Sequence, residues 1–233
     1  MLRRASLAAL IAACLACAGA PRAPAPGQGR VYGTLRLVPH AGAPKPAAHG
    51  AYSSQRMRDA DLVDYSTPGF AVVYLAEGTA PGGSASLSIR DTRVEPRFEP
   101  GHLALGAGGH LTIENASARA HILSYPAAKT VRRLAPGERL DVPVPGDGEQ
   151  GLYLLDVPDA AATLFAAPGH FAVVSTSGGY ELDDVAPGSW ALRAWHPRFP
   201  PVSRHVDVVE GTSVRVDLEM GVDVDPEGPA RAN

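Results

Sequence analysis

The hydrophobic positions of this chain fall in short runs separated by turn clusters. VYGTLRLV (31–38), FAVVYLA (70–76), SLSIRD (86–91), HLALG (102–106), HLTIEN (110–115), RLDVPV (139–144), GLYLLDV (151–157), HFAVVST (170–176), WALRAWH (190–196), SRHVDVVE (203–210) and SVRVDLEM (213–220) follow this grammar. Several alternate with period two, which puts successive side chains on opposite faces of a strand. Val214, Val216, Leu218 and Met220 share one face, with Arg215, Asp217 and Glu219 on the other. Trp190, Leu192 and Ala194 share a face, while Trp195 falls on the opposite one. Leu140, Val142 and Val144 flank Asp141 in the same way. Each such run predicts a strand with one wet face. GLYLLDV does not alternate, which predicts burial on both faces.

The punctuation agrees. With 25 Gly and 22 Pro, long helices are broken throughout. LAPGERLDV (134–142) and VAPGSWALRAW (185–195) share a Pro-Gly step, suited to the centre of a type II turn where glycine supplies the positive φ. Residues 39–69 read mostly as loop, with a short helix expected around 54–62. The pattern predicts an all-β protein of sandwich type.

The N-terminus has a different character. MLRR is a basic n-region and ASLAALIAA an apolar stretch too short to span a bilayer. Ile11-Ala12-Ala13-Cys14 then reads as a lipobox, resembling bacterial lipoprotein signals, so Cys14 is the expected lipidation site. Ordinary signal-peptidase cleavage after Ala16-Cys17-Ala18 is the alternative. Either reading exports the protein, and lipidation adds a membrane partner through the anchor. Leu15 after the modified cysteine suits outer-membrane sorting of a periplasmic lipoprotein. Residues 14–29, rich in Ala, Pro and Gly, form the expected tether. Removing residues 1–13 takes the 21 Lys and Arg to 19 against 24 Asp and Glu, and the net charge from −3 to −5. That charge argues against a nucleic-acid partner. Cys14 and Cys17 are the only cysteines, so the folded body carries no disulfide and depends on core burial.

The block from Phe70 to Val144 resembles cupredoxin-like proteins of the methylamine-utilisation type. FAVVYL precedes VEPRFEPGHLALGAGGHLTIENASARAH, then ILSYP and LAPGERLDVPVPG, and Asn115, His121, Pro136, Gly137 and Glu138 occupy matching places. The resemblance implies a Greek-key sandwich in which His121 is a copper ligand. Family members continue with a G-x-Y-x-V-x-C-x-x-H-P-x-M segment, whereas this chain reads GLYLLDVPDAAAT. A blue-copper centre needs a thiolate in a His₂Cys set, because the Cu–S bond gives the site its character. The expectation is therefore a cupredoxin fold without that centre and without a cofactor. His121 is left either as a packed residue or as part of a weaker imidazole site for copper.

GHFAVVSTSGGYELDDVAPGSWALRAWHPRFPPVSRHVDVVEGTSVRVDLEM (169–220) is similar to carboxypeptidase-regulatory-like modules of transthyretin type. Gly179, Tyr180, Leu182, Val185, Pro187, Gly188, Trp190, Leu192, Trp195 and His196 carry the match. Such modules begin with a hairpin that Gly33–Leu37 and Ala71–Leu75 can supply, so the cupredoxin-like block is expected to be inserted into this second sandwich. In chain order the division is signal peptide 1–13, tether 14–29, cupredoxin-like domain with N-terminal hairpin 30–169, small transthyretin-type β-sandwich 170–222 and tail 223–233.

Chemistry beyond this is sparse. The eight histidines form no H-x-H, H-x₃-H or HExxH pair. A composite site of His121 with His102, His110 or His170 depends on the fold. There is no GxSxG, phosphate loop or dinucleotide fingerprint, and no enzyme is expected. Asp183 and Asp184 read as solvated, and Lys129, Arg132, Arg133 and Arg139 as a charged edge. Trp195 and His196 read either as packing residues or as a contact for a ligand such as sugar. The leading expectation is a non-enzymatic lipoprotein of the cell envelope that binds or scaffolds an envelope protein. A periplasmic copper carrier using histidine ligands and a carbohydrate-binding module are the alternatives.

Overall fold

The computed structural model describes residues 23–42, 64–80 and 82–228. The segment expected to be a signal peptide, Cys14, Cys17, His49 and the helix expected around 54–62 lie outside these residues. The described residues form 17 β-strands and no helix, so the chain is all-β.

The chain opens with β1 (Gly29–Leu37) and β2 (Val72–Leu75). The next nine strands build one sandwich: β3 (Ser84–Arg90), β4 (Arg97–Glu99), β5 (His102–Gly106), β6 (His110–Asn115), β7 (His121–Tyr125), β8 (Thr130–Leu134), β9 (Arg139–Pro143), β10 (Gly148–Leu154) and β11 (Ala161–Ala167). Its two sheets have the orders β4-β3-β6-β9 and β5-β11-β10-β7-β8. The parallel pairs β3/β6 and β5/β11 arise because the chain changes sheet between them. Leucine, isoleucine and valine from the inner faces fill the core, among them Leu87, Ile113, Leu123, Leu152 and Leu164. A buried polar pair crosses one edge of that core. The Tyr125 hydroxyl donates to Gln150 Oε1, and Gln150 Nε2 donates to the Pro145 carbonyl at 2.6 Å.

The last six strands are β12 (Phe171–Val173), β13 (Gly179–Val185), β14 (Gly188–His196), β15 (Phe199–Val208), β16 (Ser213–Arg215) and β17 (Leu218–Met220). They combine with the first two. β1 lies between β13 on one side and β16 and β17 on the other, and the second sheet runs β12-β2-β14-β15. The division at 30–169 assigns β1 and β2 to the first body, but their hydrogen-bonded partners lie in the second. This is the pairing that an inserted block requires. The second core gathers Val31, Leu35, Val73, Leu75, Leu182, Leu192, Val206 and Leu218 from both ends of the chain.

Two strands differ from the sequence expectation. GLYLLDV is not buried on both faces: Leu152 and Leu154 point inward, while Tyr153 and Leu155 face solvent. The strand covered on both faces is β11. Its Leu164 and Ala166 enter the first core, while Phe165 and Ala167 pack against Val72, Tyr74 and Trp195 of the second body. The run 213–220 also divides. The Asp217 carboxylate accepts the Thr34 N–H at 2.9 Å and the Thr34 hydroxyl at 2.9 Å, taking the place of a backbone carbonyl in the ladder.

Beside this break the backbones approach closely. A Cβ on Gly33 would lie 1.8 Å from the Val216 carbonyl oxygen, which also accepts the buried Tyr180 hydroxyl at 2.6 Å. Gly33→Ala is therefore expected to cost about 2 kcal/mol or more, because the obstructing atom is backbone and cannot swing aside. Urea unfolding measures this loss, with Gly101→Ala as the control, since a Cβ there meets nothing within 4 Å. Equal stability of the two variants would contradict the close approach.

Candidate functional site

His121 begins β7, directly after the loop that follows Asn115. That loop is held by the Asn115 side chain. Its Nδ2 donates to the carbonyls of Arg119 at 2.8 Å and Leu134 at 2.9 Å, while its Oδ1 accepts the Ser117 N–H and hydroxyl. A buried amide with every bond satisfied fixes the loop and so fixes where β7 starts. Glu138 secures the neighbouring turn, accepting the Ala135 N–H at 2.9 Å and an Arg132 N–H at 2.8 Å. Gly137 there has φ +77°, as the Pro-Gly step requires.

The His121 ring is 2 % exposed. Its Nδ1 lies 2.8 Å from Asp156 Oδ2. An ionised carboxylate only accepts, so Nδ1 carries the hydrogen. Asp156 Oδ1 accepts the Ile122 N–H at 2.7 Å, so one carboxylate clamps both the ring and the backbone beside it. Burial alone would raise the pKa of Asp156. The Ile122 N–H and the His121 ring outweigh it and hold the carboxyl below the ordinary aspartate value. The other ring nitrogen, Nε2, is buried and has no hydrogen-bond partner among the described residues.

These residues do not fit a blue-copper centre. The segment after GLYLL contributes Asp156, which occupies Nδ1 of His121, and both cysteines precede residue 18. Among the described residues no three His, Cys, Asp or Glu side chains cluster closely enough to hold a metal ion. The composite histidine site is not assembled. His102 lies on β5, three strands from β7 in the same sheet, and stacks on Phe70 with ring centroids 5.5 Å apart. His110 starts β6 in the opposite sheet, and His170 precedes β12 in the second body.

Trp195 and His196 are packing residues. Trp195 is 8 % exposed and stacks on Phe165 at 4.7 Å, with Phe70 edge-on at 6.3 Å. It fills the seam between the bodies and offers no open platform to a sugar ring. His196 Nε2 donates to the Pro68 carbonyl at 3.1 Å and Nδ1 accepts the Arg198 N–H at 3.0 Å, so both nitrogens are used. Burial, with smaller contributions from Arg198 and His102, pushes this imidazole below its ordinary value. Asp183 pairs with the buried Arg30 at 3.0 Å. Arg132 on β8 and Arg139 on β9, the edge strands of the two opposite sheets, reach Glu138 and Glu114 at 2.8 and 3.3 Å.

Asp156 was not foreseen as the partner of His121, because 35 residues separate them and a single aspartate has no motif. A second grouping was also hidden. Ser189, His205 and Asp207 meet on the exposed face of β14 and β15, where the ladder sets Ser189 opposite Asp207. Their composition suggests a hydrolytic triad, but the Ser189 hydroxyl and the Asp207 carboxylate both address Nε2 of His205, at 2.6 and 3.3 Å. A triad needs them on different ring nitrogens, so that the carboxylate orients the base. This is a surface hydrogen-bond group.

No family model and no curated protein matches the chain. Among solved structures it is similar to a purple cupredoxin from Nitrosopumilus maritimus, at 17 % identity and a TM-score of 0.31 over 36 % of this chain and 99 % of that one. It is also similar to oxidised plastocyanin from Dryopteris crassirhizoma, at 14 % identity and 0.30 over 35 % and 99 %. A third is reduced auracyanin from the photosynthetic bacterium Roseiflexus castenholzii, at 13 % identity and 0.29 over 38 % and 99 %.

The clamp has a pH signature. Because the folded-state value of Asp156 lies below 3.8, its stabilisation is complete above that value and lost as pH falls through the lowered one. Asp156→Asn is expected to reduce stability at neutral pH by about 1 kcal/mol. The gap between variant and parent narrows as pH falls below 3.8. Denaturant unfolding across pH checks this, and a gap that stays constant down to the acid limit would remove the clamp's electrostatic part.

Proposed function

We propose that this chain is an exported lipoprotein of the bacterial envelope, anchored in the outer membrane by lipid on Cys14. Its cupredoxin-like sandwich binds or scaffolds an envelope protein, without enzymatic activity and without a blue-copper centre. The observation that carries this reading is the His121–Asp156 pair. At the position where the family resemblance implies a copper ligand, the imidazole is engaged by a carboxylate and the folded body supplies no thiolate. The mature charge of −5 supports a protein or membrane partner over nucleic acid. The carbohydrate reading loses its platform, since Trp195 is enclosed in the seam.

One observation favours a second reading. Nε2 of His121 is buried without a partner, and an imidazole nitrogen in that state is a ligand for a soft or borderline metal. On that reading the protein carries copper in the periplasm.

A Cu(II) titration of the purified protein, followed by metal analysis and electron paramagnetic resonance, separates the two. The scaffold reading expects no retained copper, and identical behaviour in His121→Ala. Tight one-to-one uptake that disappears in His121→Ala would replace it with the carrier reading. Cys14→Ala is expected to move the protein from the membrane to the soluble fraction. Continued membrane association of that variant would remove the lipid anchor from the proposal.

A further inference from the structure

The outer face of the sheet β5-β11-β10-β7-β8 carries exposed apolar side chains, and the second body covers only part of that face. Phe165 and Ala167 of β11 and Ala104 of β5 pack against that body. Beyond β11 the same face continues uncovered. Tyr153 is 45 % exposed, Leu155 60 %, Ile122 39 % and Val131 67 %. Register places these four on one face, with the small Ser124 between Tyr153 and Val131. Tyr153 on β10 lies opposite Ser124 on β7, which lies opposite Val131 on β8. Leu155 donates its N–H to the Ile122 carbonyl, and Ile122 lies opposite Arg133. The stripe therefore crosses three strands and ends at the free edge of the sheet. Scattered exposed apolar residues need no explanation, but a stripe on one face that extends an existing packed seam marks an interaction surface.

The charges at its two sides are opposite. Arg133 flanks the β8 side and makes no ion pair among the described residues. On the other side the β10–β11 turn holds Asp159, next to a shallow concavity that Tyr153 and Leu155 also line. A surface with an apolar centre, a cation on one flank and an anion on the other is complementary to itself under a twofold rotation. A twofold axis lying along β7 sets β8 of each copy over β10 of the other. It carries Arg133 toward the partner copy's β10–β11 turn at both ends of the contact.

From this arrangement we propose that the outer face of β8, β7 and β10 is the contact surface for a second copy of this chain. It buries the stripe of Ile122, Val131, Tyr153 and Leu155 and pairs Arg133 with Asp159 across the axis. The surface lies apart from His121, whose ring enters the core from the opposite face of β7. It stands or falls independently of the copper question. The apolar stripe supplies the association energy and the charge pairs set the orientation.

Sedimentation equilibrium of the full chain as a function of concentration tests this. A monomer–dimer equilibrium is expected. Leu155→Asp places a charge in the stripe and is expected to weaken the dimer by about a hundredfold while leaving the far-ultraviolet spectrum and melting temperature unchanged. Because Leu155 faces solvent in the monomer, loss of folding does not confuse the result. Arg133→Glu and Asp159→Asn are each expected to weaken association by about tenfold, and the double variant by less than the product of the two. Asparagine keeps the left-handed backbone that Asp159 adopts at φ +59°. A chain that is monomeric at every concentration overturns the proposal, as does a dimer that Leu155→Asp leaves intact or a double variant that is strictly multiplicative. A monomer that sediments with anionic lipid vesicles, and loses this with Leu155→Asp, assigns the face to the membrane surface instead.

Discussion

One strand holds the second sandwich together. β1 pairs antiparallel with β13 and parallel with β16 and then β17, so nine residues near the start of the chain carry ladders to three strands near its end. Parallel pairing cannot be made by a hairpin and needs a long connection. Here that connection is most of the protein. Joining Thr34 to Asp217, 183 residues apart, costs loop-closure entropy, and the intervening sandwich, which has a core of its own, shortens the effective loop once it is formed. Gly33 is the local condition for this closure, since any side chain there would strike the Val216 carbonyl.

The two sandwiches are joined by aromatic packing rather than by a linker alone. Phe165 stacks on Trp195 and meets Tyr74 at 5.0 Å, and Phe70 closes one side. Large flat side chains bury much area with few rotamers to fix, which suits a seam between rigid bodies. The same packing explains why β11 is the doubly buried strand and why β10, one strand further out, keeps one face open. It also removes Trp195 from any ligand surface.

At the first sandwich's candidate site a carboxylate stands where the family resemblance leads one to expect a metal. Asp156 holds the His121 ring and the Ile122 amide together, and Asn115 fixes the approach to β7. The result is a hydrogen-bonded polar cluster at the margin of the core, with one buried nitrogen left open. Thiolate-based redox chemistry is excluded in the folded body by composition alone.

Much of this was legible in the residues. Period-two alternation predicted the strands at 139–144, 190–196 and 213–220, because a one-residue slip would exchange their wet and dry faces. The same rule set Trp195 opposite Trp190 and Leu192. The position of both cysteines before residue 18 excluded a His₂Cys centre without any coordinates. What alternation cannot report is which second face receives a cover. GLYLLDV is apolar on both sides but dry on one, whereas AATLFAA, with a weaker pattern, is dry on both because another body lies against it. Asp156 as the partner of His121, the break at Val216–Asp217 and the partners of β1 were likewise decided only by tertiary structure. Local sequence determines which way a side chain points relative to its own backbone. What it meets there depends on strands tens to hundreds of residues away, and only the folded chain brings those together.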